Sequence, residues 1–219
     1  YPYQNSSLCV EERLQDLLSR MTLEEKFAQL RLLFPSAKMA KQEPFDVTYL
    51  EENKHRCGAI YNPYSMRVET VNAIRKWYLE NTRLRIPVAI HSESLHGASH
   101  ETDTVFPQSI GMGATFNREL MRAVATQIGK EVKAGGNDLV YAPNLDLSRD
   151  PRWGRTEETY GEDPYLTSEM GVAYIQAVQS QKVACCAKHY LAYGSPEGGL
   201  NLAPAHAGQR EMREVLMVP

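Results

Sequence analysis

Leu14, Leu17, Leu18 and Met21 recur at the spacing of one helical face within CVEERLQDLLSRM, which predicts an amphipathic helix. Thr22 and Glu25 follow at capping-box spacing, so LEEKFAQLRLL opens as a second helix. The stretch FPSAKMAKQEPFDVT is expected to be a loop, CGAIY (57–61) a buried strand, and RVETVNAIRKWYLENTR a helix. Strand PVAIHSE (87–93) precedes a loop rich in His, Gly and Thr. Asn117 then caps a helix whose Leu120, Val124, Ile128 and Val132 stack at i, i+4 spacing, with Gly135-Gly136 as its end. Strand DLVYAP (138–143) runs into a loop that stops at Asp163-Pro164, an N-cap followed by proline at the first helical position, and the helix opened there runs to about Gln181. Strand VACCAKHY (183–190) follows.

Strands therefore alternate with helices, and the apolar strands lack clean period-two alternation. That is the pattern of a parallel sheet covered by helices, an α/β fold. No GxGxxG follows the first strand, and unusual polar residues stand after several different strands, as at the C-terminal mouth of a (β/α)8 barrel; the barrel is preferred to a doubly wound sheet on that ground. The strands found before REMREVLMVP are too few to close such a barrel, so residues 1–219 are expected to be its N-terminal portion.

Composition alters this picture little. With 219 residues, 42% hydrophobic and 23% charged, the chain can bury one sizeable core. No apolar run approaches the roughly 18 residues of a membrane span. A formal charge of −3 with scattered Lys and Arg gives no electrostatic footprint for nucleic acid. The chain opens YPYQNSS, without Met or a signal-like apolar region, the mark of a processed or excised product. Cys9, Cys57, Cys185 and Cys186 form no CxxC pair and are expected to be buried thiols, with a Cys9–Cys57 disulfide left open.

The candidate chemistry lies after the strands. RDPRWGRTEETYGEDPY alternates arginines with acids around Trp153-Gly154, which makes it either a salt-bridged turn or a loop whose guanidinium forks grip vicinal oxygens of a ligand. One of Arg149, Arg152 and Arg155 is expected to face the rim and a ligand. Another arginine is expected to neutralise Asp150 or Glu157, Trp153 to pack inside, and Glu157-Glu158 to be scaffold or a solvated face. Glu93 ends strand 87–93, where its alternative is an internal ion pair with a loop arginine. Lys188 and His189 end strand 183–190, where a charged group needs a partner or a polar ligand. A metal site on His91, His96 and His100 matches no recognised zinc pattern, and a Schiff-base role for Lys188 has no supporting phosphate-loop glycines; no metal and no cofactor is expected. An acid, an arginine, a lysine and a histidine on one rim suit a neutral polyol, whose hydroxyls each give and receive hydrogen bonds, and a sugar fits best.

Taken in order, RIPVAIHSESLHG, NLDLSRDPRWGRTEETYGEDPYL and VACCAKHYLAYGSPEGG resemble glycoside hydrolase family 3, as do the MTLEEKFAQL start and TVFPQSIGMGATFN. The resemblance implies a (β/α)8-like first domain and a retaining β-glucosidase or β-xylosidase that removes non-reducing terminal residues from an oligosaccharide or β-glycoside. It implies that Glu93, Arg155, Lys188 and His189 bind sugar hydroxyls and that none of them attacks or transfers a proton. The family's nucleophilic aspartate, in a Ser-Asp-Trp-like motif, and its acid/base are absent from residues 1–219. The chain is thus expected to need the C-terminal part of its own polypeptide, to be inactive alone, and to work in a secreted or periplasmic setting. The alternative is a non-catalytic truncated barrel that binds sugar or a protein partner through its bare sheet edges.

Overall fold

Capping decides where the first helices begin. Helix α1 (Val10–Arg20) starts at Cys9, whose Sγ accepts from the Glu12 amide while the Glu12 carboxylate accepts from the Cys9 amide. Helix α2 (Leu23–Gln29) starts at the expected Thr22–Glu25 capping box. The computed structural model describes residues 1–36, 46–62, 66–98 and 100–219. They fall into two compact units, Tyr1–Tyr61 with Glu69–Ile90 and Asn62–Val68 with His91–Pro219.

In the first unit α2 is shorter than its hydrophobic period. Leu30 and Arg31 donate back to Phe27 and Ala28, which tightens and ends the last turn. Leu32–Leu33 then forms strand β1, parallel to β2 (Ala59–Tyr61) with Leu32 opposite Ala59 and Leu33 opposite Ile60. The expected helix over LEEKFAQLRLL thus gives up its end to a ladder whose partner lies far along the chain. Gly58 permits the approach, because a Cβ there would stand 2.5 Å from the Gln29 carbonyl oxygen. Helix α3 (Val47–Asn53), which is not among the expected elements, is capped by Asp46 Oδ1 accepting from the Tyr49 amide. The middle of the loop expected over 34–48, residues 37–45, lies outside the described residues. Helix α4 (Val68–Asn81) buries Val71, Ile74, Trp77 and Tyr78.

Strand β3 (Ala89–Ser92) runs into the second unit, where β4 (Leu139–Val140) and β5 (Ala184–Cys185) join it in parallel. His91 pairs with Leu139 and Ser92 with Val140; Leu139 pairs with Ala184 and Val140 with Cys185. The ladders are shorter than the apolar runs that mark them. Beyond them single bonds continue the pairing, Tyr141 to Ser92 and Cys186 to Val140, and an isolated bridge joins Asn144 to Lys188. A short helix α5 (Ser109–Gly113) precedes α6 (Arg118–Ala134), which Asn117 caps, and α7 (Pro164–Ser180), which Asp163 caps with Pro164 in the first turn. The facing sides of α6 and α7 form the core: Met121, Val124, Ala125, Ile128 and Val132 pack with Met170, Ala173, Tyr174, Ala177 and Val178 under Val140 and Val183. Each large buried side chain of this kind contributes about 1.5–3 kcal/mol.

The four cysteines are free. Cys57, expected to be buried, is so, and its Sγ lies 3.2 Å from the Tyr78 hydroxyl. The other three correct the expectation: Cys9, the cap of α1, is exposed, and Cys185 and Cys186 are half-buried. Among the described residues no helix is long and apolar enough to cross a membrane.

Candidate functional site

Parallel strands deliver their C-terminal ends to one side of a sheet, so the residues after β3, β4 and β5 meet. Lys188 is set by backbone bonds on both sides: its amide donates to Pro143 (3.1 Å) and its carbonyl accepts from Leu145 (2.6 Å). Its Nζ reaches back across 95 positions of sequence to donate to Glu93 Oε2 at 3.1 Å. Glu93 therefore pairs with the lysine of the third strand end.

The loop after β4 divides its arginines between two tasks. Arg152 lies outside, where its Nε and Nη2 grip Asp150, and that hydrogen bonding holds the Asp150 carboxyl at about 2. Trp153 is 1% exposed and donates from Nε1 to Asn201 Oδ1 at 3.0 Å. Arg155 turns inward. The 3-10 turn Thr156–Glu158 brings Glu158 under it, so that Arg155 Nε donates to Oε1 at 2.8 Å and Nη2 to Oε2 at 2.7 Å. Burial, the largest single influence, raises the Glu158 carboxyl, but the Arg155 fork, the nearby Lys188 charge and Asn144 together outweigh it and the net shift is downward. The same carboxylate holds Arg155 above its ordinary range. The pair stays ionised.

Glu93, Arg155, Glu158 and Lys188, with Ser94 to Gly97, line one cavity of about 300 Å3. Its two cations and two carboxylates balance, which favours a neutral ligand over a phosphate or an acid. The Arg155 and Lys188 hydrogens not used in these pairs remain as donors, and the carboxylates as acceptors. His189 is placed differently. Its Nδ1 lies 2.6 Å from Asp146 Oδ2, its ring meets Tyr193 edge to face at 4.5 Å, and it lines a second cavity of about 340 Å3 with Tyr190, Leu191, Ala192, Tyr193, Ala203 and Ala205. Three of the sequence candidates thus share one cavity, while the fourth faces its own.

Sequence reasoning missed Glu158, taken there as scaffold, and Tyr193, over whose ring the Arg155 guanidinium sits at 5.3 Å. The spacing of Arg155 and Glu158 was a usable signal; nothing local announces Tyr193. The histidines considered as metal ligands have separate partners: His91 Nδ1 meets the Tyr141 hydroxyl at 3.0 Å, His96 Nδ1 the Phe106 carbonyl at 3.2 Å, and His100 Nδ1 the Thr102 hydroxyl at 2.7 Å. Among the described residues no three His, Cys, Asp or Glu side chains converge as a metal site would need.

Residues 22–219 match the Glycosyl hydrolase family 3 N terminal domain. The periplasmic beta-glucosidase of Salmonella typhimurium is 34% identical over 90% of this chain and 26% of its own length. The xylan 1,4-beta-xylosidase of Xylanibacter ruminicola is 34% identical over 90% of this chain and 20% of its own. The structure of a beta-glucosidase from Listeria innocua in complex with glucose superposes with a TM-score of 0.82 at 33% identity, covering 94% of this chain and 30% of that one. The chain spans about a third or less of the length of the curated relatives it matches.

Proposed function

The chain belongs to glycosyl hydrolase family 3, and from that premise we propose that residues 1–219 supply the sugar-holding wall of a retaining β-glycosidase that removes terminal non-reducing β-D-glucosyl or β-D-xylosyl residues. The observation that carries this reading is the meeting of Glu93, Arg155 and Lys188 around one charge-balanced cavity at the strand ends. Lys188 and Arg155 donate to the hydroxyls of the bound glycosyl unit, Glu93 accepts from them, and His189 adds a contact from the adjoining position. Hydrogen bonds of this kind tighten as the ring flattens toward an oxocarbenium ion.

Retention needs two carboxyl groups about 5 to 5.5 Å apart, one attacking the anomeric carbon and one protonating the leaving oxygen before guiding water onto the intermediate. Glu93 and Glu158 are each held by a cation and serve binding. The reading therefore assigns the nucleophile and the acid/base to polypeptide beyond Pro219, which also completes the (β/α)8 domain begun here. A secreted or periplasmic address accords with the relative named as periplasmic.

Turnover of aryl β-glucosides or β-xylosides by the full-length protein is the expected result, and silence across such a panel would refute the reading. In that protein Arg155→Ala or Lys188→Ala should lose about 2–5 kcal/mol of transition-state stabilisation in kcat/KM, as for removing a charged partner in a dry site. Unaltered kinetics would return both residues to the scaffold.

A further inference from the structure

Asp146 is the unexplained acid beside this site. Its side chain is 1% exposed, yet it carries a carboxylate, and burying one is unfavourable unless hydrogen bonds and a partner compensate it. Two donors of one residue reach it: His189 Nδ1 at 2.6 Å and the His189 amide at 3.3 Å converge on the same oxygen, Oδ2. The aspartate is itself braced. Its own amide donates to Asn144 Oδ1 at 2.8 Å, and the backbone at Gly194 packs so closely that a Cβ there would lie 3.0 Å from Asp146 Cβ and 2.5 Å from the Leu147 carbonyl.

The imidazole is clamped on a second side by the edge-to-face contact with Tyr193. Tyr193 also meets Trp153 edge to face at 5.4 Å and lies under Arg155, so one ring joins the histidine to the arginine loop. The His189 side chain remains 31% exposed, and its Nε2 has no hydrogen bond to any described residue. A carboxylate at Nδ1 keeps the proton on that nitrogen and orients the ring, which decides what the other nitrogen can do.

We propose that Asp146 is a positioning residue that fixes the His189 imidazole in one orientation with its proton on Nδ1, so that Nε2 is presented to a hydroxyl of the bound glycosyl unit. The identity of the ligand rests on the glycosidase reading; the geometry of the ring does not.

The test uses the full-length protein labelled with 15N-histidine. The His189 ring shifts should show a protonated Nδ1 in the unaltered protein, and Asp146→Ala should release the ring to the Nε2–H form favoured by free imidazole. Because two N–H groups converge on one oxygen, the amide oxygen of Asp146→Asn should take that place, keep the Nδ1–H form and lose less activity than the alanine variant. Asp146→Ala should lower kcat/KM about 10- to 100-fold, the usual effect of removing the partner that orients a histidine. In an His189→Ala background the same change should add little, since an effect routed through the ring vanishes with it. A neutral Nε2–H ring in the unaltered protein overturns the proposal without any variant, as does an undiminished Asp146→Ala loss in the His189→Ala background. The ring shifts need no substrate. Absence of turnover with the expected shifts would therefore refute the glycosidase reading and leave the positioning role standing.

Discussion

Helices α1 and α2 of the first unit and helices α6 and α7 of the second carry equally plain signals in sequence, and they end in opposite situations. All four have a side-chain cap at the N-terminus. Yet α1 buries none of its residues and α2 only Ala28, whereas α6 buries Met121, Val124, Ala125, Ile128 and Val132, and α7 buries a matching face. Leu23 and Phe27 of α2 stand exposed. An apolar stripe reports which face of a helix favours burial; whether that face is covered depends on what packs against it. End signals and interior packing are thus separable sources of stability, and the two pairs of helices isolate them.

The largest effect should come from the packed pair. Ile128 is fully buried between α6 and α7, so Ile128→Ala should cost about 2–5 kcal/mol through lost burial and the cavity left behind. Phe27→Ala, on an exposed face of α2, should change stability by about 0.5 kcal/mol or less. Denaturant midpoints and hydrogen exchange of the affected helices read both. Equal losses at the two sites would break the comparison.

A smaller effect should appear where α2 depends on its end. Thr22 Oγ1 accepts from the Glu25 amide while the Glu25 carboxylate accepts from the Thr22 amide. Thr22→Ala should therefore cost about 1 kcal/mol, felt as faster exchange of the first amides of α2. Protection unchanged in that turn would mean that contacts elsewhere hold the helix, and the cap would lose its assigned part.

The same distinction marks what was legible in the sequence. The Thr22–Glu25 capping box, the i, i+4 run Leu120 to Val132 and the Asp163-Pro164 start are local, and the structure has them where the residues predicted. Strand β1 was not legible, because Leu32-Leu33 continues the helical period of α2 and its strand partner is Ala59-Ile60. Helix α3 did announce itself through Asp46 at the N-cap, but the neighbouring loop residues outweighed that signal. At the site, residue type and position after strands brought out Glu93 and Lys188, whereas the choice of Arg155 among the three arginines of its loop came from the family resemblance. The pairing of Glu93 with Lys188 and the clamp of Asp146 on His189 depend on which strand ends become neighbours, which only the fold decides.

Acid should act on the second unit already at mild pH, through His91. His91, after the start of β3, is held below its ordinary 6.5 by burial, with Asp138 opposing that shift, and the Tyr141 hydroxyl meets its Nδ1. The unfolded chain then takes up this proton first as pH falls. Stability should decline from about pH 6.5 downward until the folded-state value is passed, and be unaffected above it. The shifted acids of the first unit act lower: Asp16, held down chiefly by Arg20, and Glu25, held down chiefly by Arg83, contribute stability above their ordinary 3.8 and 4.5 that is lost below those values. His91→Gln should flatten the change in denaturant midpoint between pH 7.5 and 5.5. An unchanged slope would shift the cause to another titrating group.

The smallest effect is expected at Arg152, three positions before Arg155 in the same loop. Both guanidinium groups grip a carboxylate through Nε and Nη2, so hydrogen-bond geometry does not distinguish them. Exposure does: the Arg152 side chain is 70% exposed and that of Arg155 25%. Water and salt screen an exposed pair and compete for its hydrogen bonds, while the side chains still lose freedom in forming it. Arg152→Ala should therefore leave the denaturant midpoint within experimental error and kcat/KM unchanged in the full-length protein, whereas Arg155→Ala should impair turnover. A kinetic loss at Arg152 to match that at Arg155 would show that the loop acts as one braced unit, in which the outer Asp150–Arg152 pair sets the position of the inner arginine.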